Sequence, residues 1–418
     1  MKVSKFGLKT RKTRGNTEDL YQEILFQSKQ LKRNVQGIYS LGPILTISRN
    51  KLVEFLRSKL NSYDCVEVSL PVMQPKQIWT ASGRWEKYTE NGTMFTLKGK
   101  NGEYCIAPTG EEIMFEYVND IIESYKDMPV TFYQIGTKYR DELRVRGGLL
   151  RSKEFLMKDA YSFHATSEDM EREYERLKQC YIEFFAGVGL KAIPVLANSA
   201  DMGGKVSNEF MVESKIGEDT ILIDDENNLA FNIEVEEDES LQAYYKEKYP
   251  YINFDKMRRV KGIEVGHIFQ LNQFYSKSMN GTFVDRDGTT KHYYMGCYGI
   301  GVNRTLGAIL EHFSDEKGLR FPKIIRPFDV GIVNLNDEEL NKYSEELHNK
   351  LIGEGLNVMW DDRNLSLGVK IKDLNLIGVR NLIIIGNNFK SSKMLELELD
   401  GEKLSLNEAE IIDKLKNI

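Results

Sequence analysis

The chain has 418 residues, of which 41% are hydrophobic and 29% are charged, and its formal net charge is −6. This length allows about two or three domains with their own cores. No apolar run of ~18 residues predicts a membrane span. The negative charge argues against a protein that coats nucleic acid, although it is compatible with a local basic tract.

The four cysteines and five histidines lie far apart, without C-x-x-C spacing. Neither a disulfide framework nor a structural zinc site is therefore predicted, and a reducing compartment fits best. The first fourteen residues are basic but contain no apolar stretch, so they are not a secretory signal. We expect a cytoplasmic protein, with an organelle matrix as the alternative.

Two helices and a strand are predicted in the first 75 residues. Apolar residues at helical spacing predict a helix over residues 18–36 and a second over about 47–60, separated by Gly42-Pro43. Residues 66–72 predict a strand in which Pro71 stands near the end. Because proline supplies no N–H, it either marks an edge or interface or simply terminates the strand.

A hairpin over residues 94–97 and 104–106 is followed by the segment APTGEE, which opens a helix. Thr109 and Glu112 have the three-residue spacing of an N-terminal capping box. The alternative is that a carboxylate here holds the cationic amine of a substrate. The local sequence alone favours capping.

Residues 139–164 contain a cluster of arginines around Gly147-Gly148. The cluster consists of Arg140, Arg144, Arg146 and Arg151. The pattern predicts two antiparallel strands joined by a basic loop. Guanidinium groups match phosphate oxygens two at a time, so the loop suits a polyphosphate. The alternative is a solvated charged hairpin, and this alternative is favoured when the stretch is considered without the rest of the sequence.

Residues 168–185 predict an amphipathic surface helix, and the acidic residues 224–250 predict a solvated surface segment without a site. Residues 262–271 predict a strand that contains His267, a residue type that is more often structural than catalytic. Glycines over residues 296–301 precede a helix that begins near Arg304. Glycines allow a backbone to approach a ligand closely, but this run lacks the third glycine of a dinucleotide fingerprint.

From residue 327 onwards, short strands and helices alternate, which predicts an independent α/β domain. We expect domains at 1–324 and 325–418. The second has twelve Lys or Arg against seventeen Asp or Glu, a formal −5, so its composition gives no support for nucleic-acid binding. Its strands are predicted at 329–335, 357–361, 382–386 and an edge strand at 394–399, and its helices at 337–353, 368–376 and 407–415.

Eight segments in order resemble the bacterial-type prolyl-tRNA synthetases, which are class II enzymes. They are GIYSLGP, GRW, APTGEE, YRDELRVRGGLLRSKEFLMKDAYSFH, DMGGKVSNEFMV, GIEVGHIFQL, MGCYGIGVNR and DDRNLSLGVKIKDLNLIG. The resemblance implies an α+β catalytic domain with a six- or seven-stranded antiparallel sheet, the class II synthetase fold. It also implies a C-terminal α/β anticodon-binding domain, and a homodimer with Pro71 at its interface.

The resemblance also implies which residues bind ATP and proline. Arg140 is expected on the α-phosphate and Arg304 on the γ-phosphate, and both are the expected catalytic residues. The other expected nucleotide contacts are Glu142, Arg151, Phe155, Glu264 and Gln270. The expected proline contacts are Thr109, Glu111, His267, Phe269 and Cys297. Here the resemblance overrides the local preference for capping, although Glu112 is still expected to act as the partner of a capping box.

The expected substrates are ATP with Mg²⁺, L-proline and tRNA(Pro), without zinc and without a membrane. For the anticodon the resemblance suggests Arg363, Lys370, Lys372 and Arg380, which lie around one helix. The alternative for each is a solvated charge on an amphipathic face. No metal ligand is assigned to the protein.

This sequence departs from the family pattern at several places. The acidic segment at 224–254 occupies the place of the family's editing insertion and is too short for a hydrolytic domain. We therefore expect no editing of alanine in cis, and a separate deacylase that acts in trans as a partner. Asn272 replaces a usual glycine and Asn208 a usual histidine, and the sequence explains neither.

Two other classes of function stay open. One is a class II synthetase for threonine, glycine or histidine, of which the threonine enzyme would need zinc ligands that this sequence does not supply. The other is an inactive paralogue, such as a regulatory or processivity subunit. Such proteins lose the motif residues, whereas Arg140, Glu142, Phe155 and Arg304 are all present here.

Overall fold

A computed structural model describes residues 1–6, 8, 20–198, 207–399 and 401–417. The DMGGKV part of the fifth segment quoted above lies outside the described residues. The chain forms two compact units. The smaller unit contains Met1–Asn34, Tyr39–Leu52 and Ile309–Ile418, and the larger unit contains Val35–Ile38 and Val53–Ala308. The domain boundary at 324/325 stays a prediction.

The strands and helices of the described residues are numbered here in chain order. The strands up to residue 301 are β1 (Leu31–Val35), β2 (Ile38–Leu41), β3 (Val66–Glu67), β4 (Met73–Pro75), β5 (Phe95–Gly99), β6 (Gly102–Ile106), β7 (Val130–Tyr139), β8 (Glu154–His164), β9 (Ala192–Ala197), β10 (Ser207–Glu213), β11 (Asp219–Asp224), β12 (Leu229–Asn232), β13 (Arg258–Asn272), β14 (Phe283–Val284), β15 (Thr290–Lys291) and β16 (Tyr294–Gly301). The later strands are β17 (Val330–Asn334), β18 (Val358–Asp361), β19 (Leu382–Ile385), β20 (Leu395–Leu399) and β21 (Glu402–Leu406). The α-helices are α1 (Leu20–Gln27), α2 (Pro43–Asn61), α3 (Lys76–Ala81), α4 (Trp85–Glu90), α5 (Glu111–Asn119), α6 (Ser167–Gly187), α7 (Ile233–Glu237), α8 (Glu239–Lys248), α9 (Phe274–Ser278), α10 (Val302–Phe313), α11 (Glu338–Gly353), α12 (Leu367–Leu376), α13 (Asn387–Ser392) and α14 (Glu408–Lys416). No helix among the described residues is long and apolar enough to cross a membrane.

The first predicted helix is wrong over its second half. Helix α1 ends at Gln27, and β1 begins at Leu31. Between them Lys29 has a φ of 60°, a left-handed conformation that stops a right-handed helix. The second predicted helix is present as α2.

The larger unit is built on a nine-stranded sheet in the order β10-β9-β12-β11-β13-β16-β8-β7-β3. Most neighbours are antiparallel, as expected, but β12 with β9 and β3 with β7 are parallel. The sheet is larger than the six or seven strands expected. Strand β3 lies at its edge and comprises only Val66 and Glu67, so Pro71 stands outside the strand and is exposed.

The acidic segment is not the solvated surface segment that its charge predicts. It contributes β12, α7 and α8, and together with β11 these enclose a cluster of buried apolar residues. The cluster consists of Leu196, Leu222, Phe231, Val235, Tyr245, Ile252, Phe254 and Met257. The charged residues lie outside this core, where Glu236 pairs with Arg259 at 2.6 Å. Because acidic residues alternate with the apolar ones in this segment, the periodic spacing of the apolar residues was not recognised in the sequence.

Helix α6 covers one face of the sheet and leaves the other face for the site. Its start is capped by the Thr166 side chain, which accepts from Asp169 N, and its inner face is fully buried. On the covered side of β8, Lys158 Nζ lies 2.5 Å from Tyr181 Oη of α6. Because side chains alternate along a strand, Asp159 points to the opposite face.

The smaller unit contains a five-stranded sheet in the order β18-β17-β19-β20-β21. The three strands β18, β17 and β19 are parallel, as the β/α alternation predicts, and β20 and β21 are antiparallel. Strand β20 is therefore not the edge strand that the sequence predicts, because β21 pairs outside it. Residue Met1 lies along β18, where Trp360 N donates to Met1 O over 2.9 Å.

Candidate active site

A cavity of about 330 Å³ opens on the face of the large sheet opposite α6. Of the twelve residues that the resemblance assigns to ATP and proline, the cavity is lined by Thr109, Glu111, Arg140, Glu142, Arg151, Phe155, Glu264, His267, Phe269, Cys297 and Arg304. The twelfth, Gln270, does not line it. Since side chains alternate along β13, Phe269 faces the cavity and Gln270 faces away.

A β-bulge in β13 brings two polar side chains to the same face. Phe210 pairs with Gly266 and Met211 with Glu264, so β13 has one extra residue, Val265, at this point. The extra residue shifts the alternation of side chains along β13 by one position. Consequently Glu264 and His267 are three residues apart and still meet, with Oε1 and Nδ1 separated by 3.2 Å.

At one end of the cavity, Glu111 opens helix α5. The N-cap residue is Gly110, and no side chain caps the helix, so the expected capping box is absent. Thr109 Oγ1 instead donates to Glu111 Oε2 over 2.6 Å. The expected box partner Glu112 accepts from Ser82 Oγ over 2.8 Å and from Arg84 Nη1 over 3.0 Å.

Arg84 joins the two carboxylates. Its Nη1 lies 3.2 Å from Glu111 Oε2 and 3.0 Å from Glu112 Oε1, and all three side chains are almost fully buried. Burial by itself would raise the pKa of Glu111, but the Arg84 charge and the Thr109 hydrogen bond bring it below its ordinary value. Burial and the Glu111 charge raise the pKa of Glu112, despite the opposing effect of Arg84. Arg84 is the R of the GRW segment, and its role was not predicted from the sequence.

A second buried polar cluster lies at the base of the cavity and was not predicted. Asp159 accepts from Gln134 Nε2 over 2.9 Å and from Tyr161 Oη over 3.1 Å, and its Oδ1 lies 2.9 Å from Lys138 Nζ. The backbone N–H of Gly110 donates to Tyr161 Oη over 3.2 Å. This cluster therefore connects strands β7 and β8 to the turn that presents Glu111.

Arg140, Arg151 and Arg304 also line the cavity, and the part that they line is called the arginine end here. Arg140 Nε donates to Pro108 O over 3.1 Å, and the Arg140 guanidinium carbon is 5.4 Å from the Phe155 ring centroid. Within the described part of the chain Arg140 forms no ion pair, so its charge is available to an anion. Arg304 Nη1, in contrast, lies 2.7 Å from Glu264 Oε2.

Arg151 is neutralised by two carboxylates. Its Nε lies 2.9 Å from Glu142 Oε2, and its Nη1 lies 2.7 Å from Glu218 Oε2. Burial by itself would raise the pKa of Glu142, but the Arg144 backbone N–H and Arg151 hold it below its ordinary value. A polyphosphate would have to compete with Glu142 and Glu218 for Arg151.

Glu264 is the centre of an acidic group beside Arg304. Burial would raise its pKa, but His267 and Arg304 lower the pKa to about 2. Burial and the Glu264 charge raise the pKa of Glu209 to about 8. Ligand atoms of Glu209, Glu264 and His267 lie within 4.8 Å of one another, the spacing of a metal site. Carboxylate oxygens are the ligands that Mg²⁺ prefers.

The structure explains the two unexplained replacements and the glycine pair. Asn272 has a φ of 53°, a left-handed conformation that glycine adopts without strain and asparagine tolerates. Asn208 is buried and accepts from Tyr174 Oη over 2.8 Å, so a hydrogen-bonding side chain is needed there. Gly147 and Gly148 have φ values of 60° and 56° in the turn between Arg146 and Arg151.

In the smaller unit, three of the four candidate anticodon residues are already engaged. Lys370 is 1% exposed and its Nζ donates to Asn334 O over 3.0 Å, so its assignment to the RNA-binding surface is wrong. Arg363 Nη2 lies 2.6 Å from Asp361 Oδ2, and Arg380 Nη2 lies 2.7 Å from Asp315 Oδ1. Lys372 is exposed.

Two protein families match this chain. Residues 95–313 match the class II core domain of tRNA synthetases (G, H, P, S and T), and residues 329–418 match an anticodon-binding domain. The crystal structure of prolyl-tRNA synthetase from Cryptosporidium parvum complexed with L-proline and AMP has a TM-score of 0.74 and 17% sequence identity. It covers 95% of this chain, which covers 74% of that protein. The predicted class II fold with a C-terminal anticodon-binding domain is confirmed.

Similar sequences are proline–tRNA ligases. The one from Anaplasma phagocytophilum is 37% identical over 379 residues, 88% of each chain, and one from Wolbachia is 34% identical over 408 residues, 95% of each chain. The ligase from Staphylococcus epidermidis is 30% identical, and that alignment covers 92% of this chain and 93% of the relative. It runs over 532 positions, so this relative contains a long segment that the 418-residue chain lacks. The chain therefore belongs to the family of the proline–tRNA ligases, within the class II tRNA synthetases.

Proposed function

We propose that this protein activates L-proline with ATP and transfers the prolyl group to tRNA(Pro). The observation that supports this most directly is the division of charge in one cavity. Glu111 presents an ionised carboxylate to the cavity, and Arg140, which forms no ion pair among the described residues, presents a guanidinium group to the same cavity. Similar sequences are proline–tRNA ligases, and a related fold binds L-proline and AMP.

The Glu111 end suits the amino acid. An ionised buried carboxylate favours a cationic secondary amine, and Thr109 fixes the orientation of Glu111 through a 2.6 Å hydrogen bond. The adjacent wall consists of Phe269 and Cys297, which are apolar enough to contact the methylene groups of a proline ring. Cys297 Sγ lies 3.5 Å from Glu111 Oε1, so the thiol borders the amine position.

The arginine end suits the phosphates. A carboxylate oxygen of proline attacks the α-phosphorus in line, a P–O bond forms, and pyrophosphate leaves as the bond to the β-phosphate breaks. No proton moves in this step, so no general base is required. The barrier comes from negative charge on the phosphoryl oxygens, which Arg140 and Arg304 relieve. In the second step a ribose hydroxyl of the tRNA attacks the prolyl carbonyl, the bond between the carbonyl carbon and the phosphate oxygen breaks, and AMP and the hydroxyl proton are released.

A group that fits Mg²⁺ lies at the cavity wall, which two of its three residues, Glu264 and His267, line. Glu264 is ionised at neutral pH, and Glu209 and His267 lie beside it. When bound, the ion supplies positive charge to the phosphates. We propose Glu264 as its ligand among this chain's residues because it lines the cavity and offers a carboxylate oxygen beside Arg304.

We propose that the protein does not edit in cis. The described segment at 219–257 forms two strands and short helices whose apolar side chains pack into two small clusters, and these elements account for the whole segment. A deacylase that acts in trans would then clear alanyl-tRNA. The purified protein should leave alanyl-tRNA(Pro) intact, and its hydrolysis at a rate above that of buffer would refute this part of the proposal.

We further propose a homodimer, formed at the edge of the large sheet. Val66, Val72 and Met73 lie at or near edge strand β3 and are 50%, 40% and 57% exposed, beside the exposed Pro71. Exposed apolar side chains beside an open strand edge are typical of an interface. Substitution of Val72 and Met73 by glutamate should convert a dimer to a monomer in light scattering.

Four free, buried cysteines suit a reducing compartment such as the cytoplasm.

The activity is tested by ATP–pyrophosphate exchange with a panel of amino acids. Proline should support exchange at least about 10²-fold better than glycine, histidine or threonine. None of these three amino acids has the shape of the proline ring, and their polar groups differ from its secondary amine. Exchange with threonine, glycine or histidine in preference to proline would assign the protein to another class II synthetase. No exchange with any of the panel would indicate an inactive paralogue.

A further inference from the structure

Arg84 does not line the cavity, but it donates a hydrogen bond to Glu111, which does. Its side chain is almost completely buried between three aromatic rings, with its guanidinium carbon 4.5 Å from the Tyr88 ring centroid and 5.3 Å from that of Trp79. Arg84 Nη1 also donates to Tyr275 Oη over 2.6 Å. The guanidinium group is therefore held in one position by packing, before any ligand binds.

Glu111 and Glu112 are adjacent in the chain and share this one guanidinium group. Only Glu111 reaches the cavity wall. Two buried carboxylates this close cannot both ionise at little cost, so the surroundings decide which one is charged. Glu111 has the Thr109 hydroxyl and Arg84 as donors, whereas Glu112 has Ser82 and Arg84.

The other groups around Glu111 do not supply a competing positive charge. From β16, Cys297 Sγ approaches to 3.5 Å, and from β8, Tyr161 lies close enough to interact electrostatically with Glu111 and donates to Asp159. From α9 and α4, the phenols of Tyr275 and Tyr88 contact Arg84. Among the described residues, Arg84 is the cation bonded to Glu111.

We propose that Arg84 is a positioning residue for the amino-acid site, which fixes Glu111 as the charged carboxylate that receives the substrate amine, while Glu112 serves as a neutral hydrogen-bond partner. This rests on the proposed role of Glu111. The division has a physical reason: a full negative charge on Glu112 would compete with Glu111 for Arg84 and attract the amine away from the cavity. Burial and the Glu111 charge, which raise the pKa of Glu112, agree with this assignment.

The test compares Glu112→Gln, Arg84→Lys and Glu111→Gln in amino-acid-dependent exchange. Glutamine has the shape of a protonated glutamate and retains an acceptor for Ser82 and Arg84. We therefore expect Glu112→Gln to leave the KM for proline within about threefold of wild type. Glu111→Gln should raise this KM by about 10²-fold, which corresponds to loss of a charge-assisted hydrogen bond.

Arg84→Lys retains the charge, but a flexible ammonium group lacks the rigid guanidinium plane that holds Nη1 between Glu111, Glu112 and Tyr275. It should raise the KM for proline by about tenfold or more, with kcat and the KM for ATP changed by less than about threefold. A merely structural defect would change all three parameters and the melting temperature together. The proposal is overturned if Glu112→Gln raises the proline KM as much as Glu111→Gln does, or if Arg84→Lys leaves it unchanged.

If Arg84→Lys does not fold, the comparison of Glu112→Gln with Glu111→Gln by the KM for proline still tests the proposal. The wild-type panel separates this proposal from the proposed function. If the wild type prefers another amino acid, the proposed specificity is wrong, and the same variants are then compared by the KM for that amino acid. Every such substrate has an amine, so the expected order of the three variants is unchanged.

Discussion

Gly110 and Asp159 lie so close together that a β-carbon on Gly110 would be 2.5 Å from Asp159 Oδ2. A distance this short is far inside van der Waals contact. Gly110 is therefore needed for a close approach and not for an unusual φ, which is −132°. Through this contact, the turn that presents Glu111 rests on the buried cluster at the base of the cavity.

Gly110→Ala should destabilise the larger unit by about 1–3 kcal/mol, because an additional methyl group in a packed site forces its neighbours to move. The displaced turn should also raise the KM for proline more than the KM for ATP. Thermal unfolding and exchange kinetics measure the two effects. Gly136→Ala is the matched control, since a β-carbon there meets nothing within 4 Å. Equal behaviour of the two variants would contradict the role of the Gly110–Asp159 contact.

Arg140→Ala should reduce proline-dependent ATP–pyrophosphate exchange by at least about 10²-fold. The physical reason is the loss of one fixed cation at the phosphoryl group, which is worth ~3–4 kcal/mol by analogy with an oxyanion-hole donor. Arg172→Ala serves as the control, because that arginine is 71% exposed on α6 and pairs only with Asp169 among the described residues. Near-normal exchange by Arg140→Ala would refute the assignment of the phosphate end.

Lys158 should make the stability of the protein depend on pH. Burial lowers its pKa from 10.5 to about 8, so the folded state releases the proton before the unfolded state does. Between pH 8 and 10.5 the unfolded state then binds more protons at this lysine, so the contribution of Lys158 to the free energy of unfolding should rise with pH by an amount of order 3 kcal/mol. The four buried cysteines, whose pKa values burial raises, contribute with the opposite sign, so the effect of Lys158 is measured as a difference between variant and wild type.

Lys158→Met retains the aliphatic packing and removes the ionisable group, so between pH 7.5 and pH 10 the free energy of unfolding of this variant should fall relative to that of the wild type by an amount of order 3 kcal/mol. Denaturant unfolding at the two pH values provides the comparison. Lys191→Met, at an exposed position, should show the same pH dependence as the wild type. If Lys158→Met retains the full pH dependence, the buried amine is not its source.

Lys372 and Lys370 provide a matched pair in the smaller unit. Lys372→Ala should raise the KM for tRNA about three- to tenfold, without a change in ATP–pyrophosphate exchange, and should lower the salt dependence of tRNA binding by about 0.7 in the log–log slope. Lys370→Ala should instead lower stability by ~2–4 kcal/mol, because it removes a buried side chain and its bond to Asn334 O. An unchanged KM for tRNA in Lys372→Ala would remove the last exposed candidate.

The sequence predicted well where the signal is local. The alternating apolar pattern gave the C-terminal β/α units, and the motif residues Arg140, Glu111, Phe155 and Arg304 do line one cavity. Prediction from the sequence failed where one local pattern is compatible with two different structures. Thr109 and Glu112 have the spacing of a capping box, but burial directs Thr109 to Glu111 and Glu112 to Arg84.

The sequence by itself determined the fold class and the residue types at the site through eight ordered segments that resemble those of a known family, and the periodicity of apolar residues added the C-terminal β/α units. Only the tertiary structure decided which charges meet. The Arg84–Glu112 and Lys138–Asp159 pairs join residues more than twenty positions apart, and the extra residue in β13 determines that Glu264, and not Gln270, faces the cavity. Burial likewise removed Lys370 from the RNA-binding candidates. The energy of a charge depends on its solvent and its partners, and neither is fixed by neighbours in the chain.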